Sequence, residues 1–322
     1  MPPVNNLEGL DFITVKNSDG VSYAEFRKKI NTDYLLTWWQ IILGMVFLVL
    51  LFISPFILPS RFSSWIWAGV LPVSVLAGFT IAYLQLFVHE ASHYHLLPDR
   101  KSNDRMANLL LCSWVGIDIE VYRKIHWKHH LGLSTPMDTE NSYFQPLTPK
   151  FLLESFTGIH LFRILRGRNH SQLLTKAQRL RSWRMLVIGL FLNLTILLSF
   201  VLYDQWPLVV AWILSMLIFF PFFAGIRQLL EHRDESAGSD PAYYQTQRPK
   251  ISRLFTESRA SSLLGAAGFN RHLIHHWDPD LPFTALKRAE KFLSDCDQTK
   301  EIIQASKTSY LKTFRKLFTT HS

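Results

Sequence analysis

Four long stretches that are nearly free of charge, residues 35–58, 64–88, 185–203 and 206–226, constrain this chain more than anything else in it. At about 1.5 Å of rise per helical residue, each reaches roughly 28–37 Å, against a bilayer hydrocarbon core about 30 Å thick. Lipid offers no water to exposed N–H and C=O groups, so a spanning segment must satisfy its backbone internally, as a helix does. Burying four such helices inside a soluble protein would require a large apolar shell that the remaining polar sequence does not contain. The expected fold is an all-α membrane protein. Four transmembrane helices form two hairpins, turning at Pro59–Phe62 and at Asp204–Gln205, and a helical cap completes it.

The net charge of +9 comes from 34 Lys and Arg against 25 Asp and Glu, and its distribution is informative. Four of the cations precede the first stretch, 14 lie between the second and third, and 15 follow the fourth, while Arg61 stands in the first turn. This is the positive-inside pattern, and it predicts that both termini and the long central segment are cytosolic, beside anionic lipid. No basic motif interleaved with aromatics appears, so nucleic acid is not an expected partner. Cys112 and Cys296 lack metal-type spacing, and two cysteines on the cytosolic side make no disulfide framework. With Glu8, Asp11 and Asp19 and no early apolar run, the N-terminus does not read as a cleavable signal peptide.

The chain divides into a cytosolic N-terminal segment (1–34), a membrane domain (35–290) and an amphipathic C-terminal tail (291–322). Arg27, Lys28 and Lys29 read as interfacial anchors before the first span, and Trp65 and Trp67 as an aromatic belt. Residues 106–117 and 151–165 are apolar but too short to span, and predict interfacial helices. The Thr-, Pro- and Asn-rich residues 132–149 predict a loop carrying Asp138 and Glu140. In the tail, Tyr310, Leu311, Phe314, Leu317 and Phe318 share one helical face, for a helix lying on the membrane or packed on the cap.

Thirteen histidines supply the chemistry. His126-x-x-His129-His130 and His272-x-x-His275-His276 repeat one spacing, which puts three imidazoles on one face of a helix. At this composition one such box arises by chance about 0.02 times per chain and two about 0.0002 times. His89-x-x-x-His93, a far commoner pattern, gains meaning from them. His232 lies about 9 Å beyond the fourth span. With four spans, all these histidines emerge on one side of the membrane. Nine imidazoles, His89, His93, His126, His129, His130, His232, His272, His275 and His276, suit two metal ions. Imidazole serves iron as well as zinc, and only a redox-active pair can deliver electrons to dioxygen, so the expected cofactor is two iron ions. Glu90, Glu231, Asp138 and Glu140 are candidates to orient neighbouring ligands. His95 reads as an extra ligand, a donor behind the ligands or a plain interfacial residue. His160, His170 and His321 read as structural or solvated.

On these residues the chain resembles the integral-membrane fatty acid desaturase superfamily, which includes related hydroxylases and carotenoid ketolases. Phe156-Thr157-Gly158, Glu231-His232, Asn270-x-His272 and Pro282 add to the likeness, which covers about residues 88–286. The resemblance implies a diiron oxidase that takes electrons from an external carrier, activates oxygen and removes hydrogens from an unactivated acyl chain. It places Asn270 and Gln228 beside the ligands. Gln228 stands where animal-type acyl-CoA desaturases carry a ligating Asn, a departure that weighs against an acyl-CoA substrate. His-Pro-Gly-Gly, the mark of a fused cytochrome b5, is absent, so a separate ferredoxin or cytochrome is the expected donor, with a lipid acyl chain as substrate.

Other readings explain less. His89-Glu90-x-x-His93 also matches a zinc protease motif, but no Leu-Asp-Gly supplies a third ligand and both HxxHH boxes would be idle. A transporter with structural zinc would line a path with polar groups, whereas Gln40, Gln85, Asn193 and Thr195 are sparse. Hydroxylation of a lipid or carotenoid by the same centre is the nearest alternative to desaturation.

Overall fold

A computed structural model describes residues 7, 9–57, 63–159, 162, 174–238, 240, 242–248 and 250–319. The first hairpin turn with Arg61, and His160, His170 and His321, lie outside the described residues. The protein is almost entirely helical, and four helices are long and apolar enough to cross a membrane. They are Tyr34–Ile57, Ser63–Ser92, Lys176–Leu202 and Trp206–His232, the last interrupted by a π-helical turn at Ser215–Phe219. The third starts at Lys176, earlier than its apolar run at Met185, because Thr175 and Gln178 form a reciprocal capping box. Capping, not hydropathy, sets that helix end. The second runs on to Ser92 and carries His89 and Glu90 as its last turns.

Contacts divide the chain into two bodies. The apolar body comprises Trp38–Lys124 and Pro149–Ile226. Its second and fourth long helices approach so closely that a Cβ on Gly78 would lie 2.4 Å from the Phe219 Cβ. The Ser215 hydroxyl donates to the Ser74 carbonyl at 3.2 Å, and Phe52 packs edge-on against Trp212. Phe47, Phe191, Leu194 and Leu198 stay exposed, as a lipid-facing surface requires. The helix expected at 106–117 begins earlier, at Arg100–Ala107, and continues through a π-turn, Asn108–Cys112, and a 3-10 turn, Ser113–Val115, that stops at Gly116 (φ 65). Arg123 ties this region together, donating from Nε to the Ser92 carbonyl (2.8 Å) and from a guanidinium nitrogen to Asp104 Oδ2 (3.0 Å).

The polar body comprises Met1–Thr37, Ile125–Thr148 and Arg227–Ser322. Its core joins Leu7, Val15 and Tyr23 of the N-terminal segment to Leu273, Ile274, Leu286, Ala289 and Leu293. A two-residue parallel pairing of Leu254–Phe255 with Lys307–Thr308 brings the tail in. The tail helix Tyr310–Thr319 buries Tyr310, Thr313 and Leu317, and Tyr310 stacks on Phe255 at 3.7 Å. Of the expected apolar face, Tyr310 and Leu317 are therefore covered by this body, Phe314 and Phe318 are half-buried, and Leu311 stays exposed. Buried Arg253 finishes the carbonyl end of the fourth long helix by donating to the Leu230 and Arg233 carbonyls, and buried Arg233, just past that end, donates to the loop carbonyls of Tyr143, Phe144 and Gly238.

Candidate metal centre

The second histidine box rides on the helix Ile119–Gly132. Asp118 starts that helix by accepting from the Glu120 and Val121 amides, which satisfies backbone donors that have no partner within the first turn. Behind the box, the 132–149 segment folds back and presents two carboxylates. Asp138 Oδ1 lies 2.8 Å from His129 Nδ1, and Glu140 Oε1 lies 3.2 Å from His126 Nδ1. Each carboxylate is itself held. Asp138 Oδ2 accepts from the Tyr143 hydroxyl at 2.5 Å, and Glu140 Oε2 accepts from Gln228 Nε2 at 3.2 Å. Gln228 in turn accepts from the Ser142 hydroxyl.

The third box occupies a helix of only six residues, His272–Trp277, entered from the left-handed Gly268 and ended at Asp278. In the polar body, one ring nitrogen each of His129, His232, His272 and His276 lies within 4.8 Å of the others. His126, His130 and His275 converge in the same way. The closest approaches are between Nε2 atoms: His232 to His272 at 2.9 Å, His272 to His276 at 3.2 Å, His126 to His130 at 2.9 Å and His130 to His275 at 3.1 Å. In the apolar body, His89 and His93 stack at 5.0 Å on one helix face with ring nitrogens within the same 4.8 Å limit.

The sequence profile of the fatty acid desaturase family matches residues 64–302. The chain belongs to the fatty acid desaturase family. No curated protein matches it significantly.

Family membership implies a metal centre, and the desaturase-family side chains fit one. His232 Nδ1 faces the Ile251 carbonyl at 2.9 Å, which can only accept, so Nδ1 carries the proton and the Nε2 lone pair turns toward His272. Glu140 does the same for His126. Lone pairs gathered about 3 Å apart match the edge of a coordination sphere with metal–nitrogen bonds of about 2.1 Å. Burial and neighbouring imidazoles push His130, His272 and His276 well below the ordinary histidine pKa, so they are neutral and able to ligate. On His129 burial also opposes charge, but the Asp138 hydrogen bond and the nearby Glu140 outweigh it and raise the pKa. Burial would raise Glu140, yet the His126 and His129 rings hold it far below the usual carboxylate range.

Other expected residues fall in specific places. Glu90 sits between His89 Nδ1 (3.3 Å) and His95 Nδ1 (3.4 Å), so its carboxylate holds two rings. That position does not suit a protease base, and His95 is engaged by Glu90. Glu231, adjacent to His232 in sequence, faces His272 instead: Oε2 lies 3.8 Å from its Nε2 while both oxygens accept from Arg227. Asn270 accepts from Arg271, at 3.2 Å, through its side-chain oxygen. Sequence reasoning missed Tyr143, the Ile251 carbonyl, and the pair Arg227 and Phe269. The Arg227 guanidinium lies 4.1 Å over the Phe269 ring, which stacks on His272. None of these carries a local signal, in contrast to Glu140, an expected candidate two residues from Asp138 in the same loop.

Proposed function

We propose that this protein is a membrane diiron oxidase that introduces a double bond into a lipid acyl chain. The observation that carries the reading is the convergence of Nε2 atoms in the polar body, with His126, His129 and His232 each anchored from behind through Nδ1. The proposed ligands of the polar body are His126, His129, His130, His232, His272, His275 and His276; in the apolar body, His89 and His93 are proposed metal ligands as well. Two bound iron ions would supply the redox chemistry that dioxygen requires and that zinc cannot provide. The balance is CH2–CH2 + O2 + 2 electrons + 2 protons giving CH=CH + 2 H2O, so a separate one-electron carrier, a ferredoxin or a cytochrome, must serve it twice per turnover.

The chain's own residues hold the geometry. Asp138, Glu140 and the Ile251 carbonyl fix ring orientation and tautomer, and support of this kind is worth about 10–100-fold in metal affinity or activity. The four apolar helices keep the protein in the phase where acyl chains reside. The distribution of Lys and Arg supports a cytosolic placement of the termini and histidine boxes.

Expression in a host poor in unsaturated lipids, with acyl analysis by mass spectrometry and iron assay of the purified protein, tests the reading. About two irons per chain and a product lighter by two hydrogens are expected. A product heavier by one oxygen would make it a hydroxylase, and zinc without iron would overturn the oxidase.

A further inference from the structure

We infer that a cavity just past the end of the second long helix binds the phosphate of an anionic phospholipid head group. The cavity measures about 360 Å³, and every residue that lines it belongs to the apolar body. Tyr94 is its platform. With φ at 64, Tyr94 holds the left-handed conformation in which a helix usually places Gly, so a bulky side chain there calls for a physical reason. Two guanidinium groups lie over its ring, that of Arg123 at 3.8 Å and that of Arg100 at 4.7 Å.

The two arginines differ in what else they hold. Arg123 is engaged by the fold, donating to the Ser92 and Ala91 carbonyls and to both oxygens of Asp104. Arg100 and Lys101 are exposed and make no ion pair among the described residues. Gln178, on the third long helix, accepts through Oε1 from the Thr175 amide and from Lys124, while its Nε2 has no acceptor among the described residues. A guanidinium, an ammonium and a carboxamide N–H group thus line one cavity with their donors uncommitted. The two acids of its wall are both paired, Asp104 with Arg123 and Glu120 with Arg181. Residues 94–124 and 174–184, from which the cavity is built, carry nine Lys and Arg against four Asp and Glu, a net +5.

Such donors suit a phosphate: Arg presents paired N–H groups that match two of its oxygens, and Lys adds a point charge. A choline or ethanolamine ammonium beyond the phosphate would meet Arg100 and Lys101, so an anionic head group is favoured over a zwitterionic one. The surroundings decide between a lipid and a soluble phosphate. Leu180, Trp183 and Val187 are exposed on the same continuous helix, so an apolar surface begins about 3 Å along the axis from Gln178. Trp commonly marks the membrane–water boundary, which puts the cavity at the level of the head groups. Acyl chains attached to a phosphate held there have that surface to lie on, and a soluble phosphate would have no use for it. Basic pockets at the ends of membrane helices take anionic head groups in this way.

The test is native mass spectrometry and equilibrium titration of the whole protein with phosphatidylglycerol, phosphatidylcholine and inorganic phosphate. One phosphatidylglycerol per chain should bind at least about tenfold more tightly than phosphatidylcholine. Arg100→Gln/Lys101→Gln should weaken it at least about tenfold. Gln178→Glu, which keeps the capping box with Thr175 but adds a negative charge to the cavity, should do the same. The control Arg259→Gln/Lys291→Gln, which removes as many exposed cations from the polar body, should leave the Kd and the melting temperature unchanged. Equal affinity for the two lipids overturns the inference, as does a cavity variant that binds like the control. Inorganic phosphate displacing phosphatidylglycerol at an equal Kd would assign the site to free phosphate and overturn the lipid.

Discussion

The second and third histidine boxes share one spacing and are held by different physics. The second sits on the 14-residue helix Ile119–Gly132, started by Asp118, and the loop that follows within a few residues supplies both supporting carboxylates. The third sits on a six-residue helix, shorter than an isolated helix can sustain in water. What fixes it arrives from more than 240 residues away: Arg27 Nε donates to the buried Asp278 at 2.7 Å and the Tyr23 hydroxyl at 3.1 Å. Trp277 packs between Phe12 and Tyr23, at 4.6 Å from each. Identical spacing therefore reports which face the imidazoles share and says nothing about what holds the helix still. The carboxylates behind one box come from the adjacent loop, which Gln228 and Arg233 hold from farther along the chain, whereas the other box depends on the N-terminal segment.

Substitutions can break this contrast in order of severity. His129→Ala and His275→Ala remove a ligand from each box and should abolish product and lower bound iron while the protein remains in the membrane; full activity in either would refute the ligand assignment. Asp138→Ala strips His129 of its anchor and leaves the Tyr143 hydroxyl only its longer contact with Ser134 (3.5 Å), for an expected loss of about 10–100-fold in iron affinity, read by chelator competition. Arg27→Ala leaves Asp278 with only Tyr23, at about 2 kcal/mol of stability. If the third box is held by tertiary contact, its melting temperature should fall and iron loss should exceed that of Lys28→Ala. Gln228→Ala removes the second contact of Glu140 while His126 keeps the first, so about 1 kcal/mol, or about fivefold in turnover, is expected. Lys287→Ala breaks an exposed pair with Glu257 and should change the melting free energy by less than about 0.5 kcal/mol.

The contrast also explains what was legible beforehand. Hydropathy marks the four long helices because lipid leaves no other way to satisfy a backbone. Histidine spacing marks the boxes because helical geometry is local, and Asp138 was readable because it lies nine positions after His129. The tie of Arg27 to Asp278 had no such mark, since nothing within its own neighbourhood points there. Tyr143 and the Ile251 carbonyl were invisible for the same reason: a backbone carbonyl belongs to every residue, and only the fold selects one. Glu231 shows the limit from the other side, adjacent in sequence to His232 and yet facing His272.

The polar body is assembled from three separated pieces of chain, with the membrane helices threaded between them. Its imidazoles at 129, 232, 272 and 276 are therefore strangers to one another for most of the time the ribosome is at work, and contacts between such distant residues form late. During synthesis the nascent protein offers a metal only fragments of a site. If the proposed irons bind here, they can be captured only after the last quarter of the chain has emerged, so a shortage of iron would be felt as slow maturation of a protein already seated in its membrane.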